Sequence, residues 1–145
     1  MIDNKKTAVK IDYQLSDNLV SFQCSGFQND FPLIIDPWCT FYGGNDEDYA
    51  NAVATDNSGN IVFAGSEVSI NFPVSPGARQ TTYGGGEYGD AFVAKFAPNG
   101  SRLWASYLGG SETEEAFSIT ADNQGNVILV GSTDSPDFPT TVGAI

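Results

Sequence analysis

Short runs in which apolar and polar residues alternate, separated by turn formers, dominate this chain. In the clearest run Phe92, Ala94 and Phe96 alternate with Val93 and Lys95, which is the period of a partly exposed β-strand. No segment shows helical periodicity. The pattern predicts strands over four segments: Ala50–Thr55, Ile61–Gly65, Ala91–Ala97 and Leu103–Leu108.

Turn residues join these predicted strands as hairpins. Between the first two strands, Asp56 can accept backbone N–H bonds across the turn and Gly59 can supply a positive φ. Pro98, Asn99 and Gly100 form the connection between the last two strands. We therefore predict an all-β fold built from antiparallel four-stranded sheets.

The chain repeats itself at an interval of 66 residues. The stretch from Trp38 to Arg79 aligns without a gap on Trp104 to Ile145, and 15 of the 42 aligned residues are identical. Four antiparallel strands repeated in this way describe a blade of a β-propeller. The alignment predicts one full blade at about residues 50–108 and a partial blade at residues 116–145.

Residues 1–37 precede the repeat and are predicted to form a separate β-hairpin segment. Thr7 to Tyr13 and Asn18 to Gln23 have strand character and are joined around Ser16 and Asp17. The remaining 108 residues cover about 1.6 periods, whereas repeat folds need roughly three units to bury their faces. We therefore expect an incomplete propeller, either a fragment of a longer protein or a ring completed by oligomerisation.

A stretch of 25 residues from Ser66 to Asp90 lacks a clear strand pattern. Loops of this length are uncommon and often functional. Its Phe72 is repeated as Phe138, and repeated residues in such folds mainly serve packing. We predict that both side chains pack into a groove between blades.

The same loop supplies the candidate ligand-binding residues, which are Tyr83, Glu87 and Tyr88. Aromatic and polar side chains on propeller loops suit the recognition of sugars or proteins. The alternative for Tyr83 is that it caps the blade. The glycines at 84–86 lack the lysine and the following helix of a phosphate-binding loop, and Glu87 would repel phosphate.

Charge and composition narrow the possible partners and chemistry. Lys and Arg number 6 and Asp and Glu number 18, which gives a net charge of −12, and the chain has no histidine. An acidic chain repels nucleic-acid phosphates and anionic lipids. The lack of histidine removes Ser-His-Asp and Cys-His catalysis and imidazole metal ligands. We expect no catalytic residues, no nucleic-acid partner and no membrane insertion, since no run approaches the ~18 apolar residues of a membrane span.

Two features leave alternatives open. Cys24 and Cys39 can form one disulfide bridge or remain two buried thiols. The acidic turns at residues 45–48 and 111–115 either face solvent or bind Ca²⁺ through carboxylate oxygens. Neither turn has the spacing of an EF-hand loop, so we expect solvated turns, no metal site and no cofactor.

Several motifs occur together in residues 38–145. They are Tyr107-Leu108-Gly109-Gly110, Asp56 with Gly59-Asn60, Phe72-Pro73, Gln80-Thr81-Thr82-Tyr83-Gly84-Gly85 and Asp90-Ala91-Phe92-Val93-Ala94-Lys95-Phe96. Together they resemble the bacterial seven-bladed β-propeller repeat family, often called SBBP repeats. Pro32 to Pro37 looks like the exit of the β-rich domain that often precedes such repeats.

The resemblance implies a non-catalytic scaffold or interaction module within a larger exported or cell-surface bacterial protein. Its expected partners are the other blades of the same full-length chain and a protein or glycan ligand, as in adhesion. The alternative function is a propeller-hosted hydrolase or lyase whose site lies in blades outside this chain.

Overall fold

The computed structural model describes residues 39–144 in full and only the backbone of residues 10–16 and 19–25. The chain divides into two compact units, Met1–Pro37 and Trp38–Ile145. The described residues contain no helix that is long and apolar enough to cross a membrane.

The N-terminal unit contains an antiparallel hairpin. Its strands are β1 (Lys10–Ser16) and β2 (Leu19–Ser25), which pair along their whole length with Ser16 opposite Leu19. Residues 7–9, where the first strand is predicted to begin, lie outside the described residues, as does Asp17 of the predicted turn.

The first repeat forms one antiparallel sheet of four strands in sequence order. This confirms the predicted all-β fold of antiparallel sheets, of which one has the predicted four strands within the described residues. The first strand begins two residues before the predicted Ala50, because Asp48 pairs across the sheet with Glu67. The strands are β3 (Asp48–Thr55), β4 (Ile61–Glu67), β5 (Asp90–Phe96) and β6 (Arg102–Leu108).

The second repeat forms a two-stranded antiparallel sheet of the same local geometry. Its strands are β7 (Glu114–Ala121) and β8 (Val127–Thr133), and β7 begins two residues before the predicted start of the partial blade. An irregularity in the register lies between Ala50 and Ala52 in β3, and another lies between Ala116 and Ser118 in β7. The 66-residue repeat is therefore structural, because even this bulge recurs at the equivalent position.

The two sheets pack face to face through small apolar side chains. Val62, Ala64 and Ala91 of the first sheet are buried against Ala116 and Ile119 of the second. Alanine on both faces lets the sheets approach closely, and the burial of these side chains stabilises the contact.

The opposite face of the four-stranded sheet carries an aromatic cluster. Phe72 is buried there, with its ring centroid 4.6 Å from that of Phe92 and 5.1 Å from that of Tyr42. Side chains alternate between faces along a strand, so Phe92 lies on this face while Ala91 faces the second sheet. Phe72 thus packs on the face turned away from β7 and β8.

The long loop between β4 and β5 covers the outer edge of the sheet. The Ser75 N–H donates to the Ala105 carbonyl at 2.9 Å, and the Tyr107 N–H donates to the Gln80 carbonyl at 3.3 Å. These bonds occupy backbone groups of β6 that would otherwise form an open strand edge. The sequence pattern missed this role because the loop lacks strand alternation.

Candidate functional site

Three carboxylates stand at the first residue of a strand and accept hydrogen bonds from glycine N–H groups. In each case a Gly-Gly pair precedes the acidic residue by a few positions. The donors bind Asp48, Asp90 and Glu114: Gly44 N to Asp48 Oδ2 (2.7 Å), Gly84 N to Asp90 Oδ2 (2.8 Å), Gly85 N to Asp90 Oδ1 (3.2 Å) and Gly110 N to Glu114 Oε2 (2.9 Å). The repeated Gly-Gly motif therefore holds a loop against a carboxylate that is buried at Asp90 and Glu114 and half-buried at Asp48.

These bonds change the picture of the acidic turns. Glu114 is buried and Asp48 is half-buried, so the expectation of solvated turns is wrong at these two positions. The strand pairing and the glycine donors draw both side chains into the fold. Asp46 and Glu112 remain exposed on the same turns, as predicted.

Glu67 is a further carboxylate in this region, and it is completely buried. It ends β4 directly opposite Asp48 of β3 on one side and Asp90 of β5 on the other. Neither of its carboxylate oxygens has a hydrogen-bond partner among the described residues, and the same is true of Asp48 Oδ1. Three acidic residues therefore form one row across the end of the sheet.

The electrostatics of the row favour protonation of Glu67. Burial, reinforced by the charges of Asp90 and Asp48, raises the pKa of Glu67 from 4.5 to about 8. Burial also raises the pKa of Asp90, although its glycine donors oppose the rise. The pKa of Tyr107 is raised to about 12, mainly by burial and then by the Glu67 charge.

The row is not a preformed metal centre. Within the described residues, no three acidic or cysteine side chains converge in a way that could hold a metal ion. The Ca²⁺ alternative for the acidic turns is therefore not supported by a cluster of metal ligands in this part of the chain.

A groove of about 570 Å³ lies at the same end of the sheets. Tyr83 lines it from the long loop, and Asp137 lines it from the segment that follows β8. The Arg79 guanidinium crosses between the two repeats and donates to the Pro139 carbonyl at 3.0 Å. The other lining residues are Gln80, Thr82, Gly84, Gly109, Gly110 and Ser111.

The predicted ligand-binding residues do not form one cluster. Tyr83 is half-buried, packs on the aromatic cluster and donates from its hydroxyl to the Gly86 carbonyl at 3.3 Å. Glu87 and Tyr88 lie exposed on the following turn and are not among the residues that line the groove. Tyr83 thus combines packing with one wall of the groove, while a ligand role for any of the three stays a prediction.

The opposite end of the sheets holds a smaller polar pocket of about 300 Å³ between the two repeated turns. Asp56 Oδ1 accepts the N–H groups of Ser58 and Asn60, both at 2.9 Å, as predicted. The Lys95 ammonium lies 2.7 Å from Asp56 Oδ2. The hydrogen bond from Lys95, and to a smaller extent the one from the Asn60 amide, holds the pKa of Asp56 well below its usual range.

The outer faces of the two repeats expose apolar residues whose equivalents 66 positions away are buried. Val53 is 68% exposed on the face of β3 where the equivalent Ile119 of β7 is packed between the sheets. On the other flank, Ile128 is 52% exposed where Val62 is fully buried, and Val130 is 60% exposed where Ala64 is fully buried. Whether such a residue is buried therefore depends on whether a neighbouring sheet covers its face, and not on its residue type.

Cys39 shows the same effect in the segment before β3. It is an exposed free cysteine, whereas its equivalent Ala105 is fully buried, so the expectation of a buried thiol is wrong at this position. No sheet within the described residues covers it. Cys39 forms no disulfide bridge in this structure, and the side chain of Cys24 lies outside the described residues.

Sequence reasoning missed Glu67 and Lys95 as electrostatically important residues. Charged residues are rarely buried, so Lys95 was interpreted as the polar side of a strand, and Glu67 fell within the loop predicted to follow Gly65. The sequence contains one signal for Glu67. Gly65 and Ser66 are identical in the second repeat, whereas Glu67 is replaced by Thr133, so the charged residue interrupts a repeated segment.

Comparison with known proteins gives one informative match. No protein-family model matches the chain. An uncharacterized WD repeat-containing protein of Acanthamoeba polyphaga mimivirus is 29% identical over 98 residues, which are 66% of this chain. The chain spans about 7% of the length of that relative. WD repeats form propeller blades, so the match agrees with a propeller-like repeat but does not confirm the narrower bacterial repeat family.

Proposed function

We propose that this chain is a non-catalytic interaction module made of β-propeller repeats, whose two outer faces dock onto further repeats. The observation that carries the proposal is the contrast between equivalent residues. Val62 and Ala64 are buried by the second sheet, whereas Ile128 and Val130 lie exposed on a strand of the same geometry. A face that is buried in one repeat and open in the next is complementary to another repeat.

The edge of β8 supports the same proposal. In the first repeat β4 pairs with β5 over its whole length, from Ile61 opposite Phe96 to Glu67 opposite Asp90. In the second repeat β8 pairs only with β7 within the described residues. An open strand edge beside an apolar face favours pairing with another chain segment.

The outer faces are suited to head-to-tail association, because the face around Val130 is equivalent to the one that packs on β7. Joining that face of one copy to the Val53 face of another would repeat the interface already present between the two sheets. This is a heterologous contact, which forms a ring if the rotation closes.

Analytical ultracentrifugation of the 145-residue chain tests the proposal. We expect concentration-dependent association that is weakened by Val130→Lys on one flank or by Val53→Lys on the other. An equimolar mixture of the two variants should stop at dimers, because each variant keeps one intact face. Tyr88→Lys, which adds a charge on an exposed turn away from both flanks, is the control and should associate like the unchanged chain.

Association that is unchanged by both flank variants, or a chain that stays monomeric at all concentrations, would overturn the proposal. Circular dichroism on each variant shows whether the fold is retained. Because Val53 and Val130 are already exposed, a lysine at either site buries no charge and should leave the spectrum unchanged.

We further propose that the complete protein is exported or lies at a bacterial cell surface and binds a protein or glycan, as in adhesion. Support comes from the resemblance of the repeats, the acidic composition and the exposed Glu87 and Tyr88 on one loop. A glycan and peptide array probed with the unchanged chain and with Tyr88→Ala tests the binding. Signals that Tyr88→Ala, Glu87→Gln and Tyr83→Phe all leave intact would remove these residues from the ligand site.

A further inference from the structure

The two repeats solve one hydrogen-bonding problem with different residues. In the second repeat, Thr133 ends β8 opposite Glu114, which begins β7. The Thr133 hydroxyl donates to Glu114 Oε1 at 2.5 Å. At the end of this sheet, the short side chain of Thr133 is thus the donor and the long side chain of Glu114 is the acceptor.

In the first repeat, the equivalent positions hold two acidic residues. Glu67 replaces the threonine and Asp48 replaces the glutamate, and the two are directly opposite each other. The lengths are exchanged, with the long side chain now at the donor position and the short one at the acceptor position. An ionised carboxylate can only accept, so Glu67 can act as a donor only when it carries a proton.

We propose that Glu67 is a proton-binding site, which holds its proton at neutral pH and donates it in a hydrogen bond to Asp48. The geometry carries this assignment. Glu67 is completely buried, and among the described residues the buried side-chain oxygens that lack a hydrogen-bond partner are its own two and Oδ1 of Asp48. One proton between the two carboxyl groups supplies the missing donor and removes one of two like charges.

Titratable groups surround Glu67 from each neighbouring element, and the two carboxylates among them, Asp90 and Asp48, reinforce its proton binding. Asp48 faces it from β3, Asp90 from β5 and the Tyr107 ring from β6, while Tyr83 of the long loop lies within range of its charge. The backbone N–H of Ser69 favours the charged form of Glu67, but it forms no hydrogen bond of ordinary geometry with either carboxylate oxygen.

The described cations bind elsewhere. Lys95 pairs with Asp56 at the other end of the sheet, Arg79 donates to Pro139 and Arg102 donates to the Pro73 carbonyl. No positive charge among the described residues therefore neutralises the row, and a proton is the neutralising species that the arrangement favours.

Loss of this proton to solvent has a structural consequence. It leaves two facing carboxylates at the end of β3 and β4, where Asp48 also holds the Gly44 N–H. Repulsion between them would loosen the start of β3 and the preceding Gly-Gly turn. The site is then a pH-sensitive contact, which holds the start of β3 in neutral or acidic solution and releases it in mildly alkaline solution.

Carboxyl-carbon NMR of the chain labelled at glutamate tests the proposal directly. We expect one resonance to titrate near pH 8 instead of near 4.5, and to disappear in Glu67→Gln. Glu67→Gln keeps a donor towards Asp48 without a titrating group. Its melting temperature should fall much less than that of the unchanged chain between about pH 6 and about pH 9.

A second variant keeps the test decisive if Glu67→Gln does not fold. The double variant Asp48→Glu with Glu67→Thr transplants the pair found in the second repeat, and it should fold and lose the alkaline sensitivity. Thr133→Ser in the second repeat is the control, because it keeps the hydroxyl that donates to Glu114 and should leave the pH profile unchanged in shape. A Glu67 resonance that titrates near 4.5, or an alkaline transition that persists in the double variant, would overturn the proposal.

Discussion

Replacing Phe72 by alanine should destabilise the first repeat strongly, while the equivalent change at Phe138 should cost much less. Phe72 is 3% exposed and meets three aromatic rings. Its ring centroid lies 4.6 Å from that of Phe92, 5.1 Å from that of Tyr42 and 5.9 Å from that of Tyr107. Phe138 occupies the same place in the repeat but is only half-buried.

The magnitude follows from burial and from the cavity that alanine leaves. A buried Phe→Ala change costs about 3–5 kcal/mol, because the lost transfer free energy adds to the cavity term. Phe92 and Tyr107 are held by β5 and β6, and the Tyr42 hydroxyl is bonded to the Pro73 carbonyl. These rings cannot collapse fully into the space, so we expect about 4 kcal/mol. At Phe138 part of the ring already contacts water, and the expected cost is about 1–2 kcal/mol.

Urea unfolding followed by tryptophan fluorescence measures both costs, at a protein concentration low enough to avoid association. Phe72→Ala should lower the midpoint well beyond the effect of Phe138→Ala, with little change in the slope. Phe72→Leu is the matched control and should recover more than half of the loss, because it refills most of the cavity. Equal costs at the two phenylalanines would refute the reasoning that neighbouring rings make Phe72 a core residue.

Three further predictions concern pH, glycine and the turns. Because the pKa of Glu67 is raised, its contribution to the free energy of unfolding is complete below about pH 4.5 and is lost as pH rises to about 8. Calorimetry across this pH range should show that the free energy of unfolding falls by at most about 5 kcal/mol. Gly65→Ala should cost about 3 kcal/mol or more in urea unfolding, because the added Cβ would lie 1.7 Å from a backbone oxygen. Gly77→Ala places its Cβ more than 4 Å from any atom outside the neighbouring residues and should cost only about 1 kcal/mol, because of its positive φ. Asp56→Asn should destabilise the chain more than Asp122→Asn, because among the described residues Asp56 is paired with a lysine and Asp122 is not. Equal shifts in melting temperature would count against that ion pair.

Local structure was predictable where single residues dictate backbone geometry. Gly59 and Gly125 have positive φ in turns whose first aspartate accepts the backbone N–H groups, as the sequence indicates. The strand pattern from Phe92 to Phe96 likewise predicted which residues share a face. These features depend on neighbours within a few positions, so the sequence contains all that is needed to infer them.

The candidate site was less predictable because it depends on register and distant packing. Asp48, Glu67 and Asp90 are 19 and 23 positions apart, and only strand pairing places them in one row. Tyr83 looked like a ligand contact because it lies on a long loop. Its ring also packs with Tyr107 at a centroid distance of 6.2 Å, a contact that the sequence did not indicate. No local rule identifies which loop aromatic folds back onto the core.

The two repeats can be compared within one chain. The comparison distinguishes residues that fix the backbone of a repeat from residues whose burial depends on a neighbouring repeat. Residues identical in both copies, such as Gly65 and Gly131, sit where an added Cβ would collide with backbone at 1.7 Å and 2.1 Å, and they set the same bulged hairpin twice. Residues that differ in burial, such as Ala64 and Val130, share that backbone but not the neighbouring sheet. The backbone of each repeat is therefore encoded within the repeat, whereas its hydrophobic core is completed by the next one. A module built in this way is stabilised through its flanks, and that dependence makes the outer faces the first place to seek its partners.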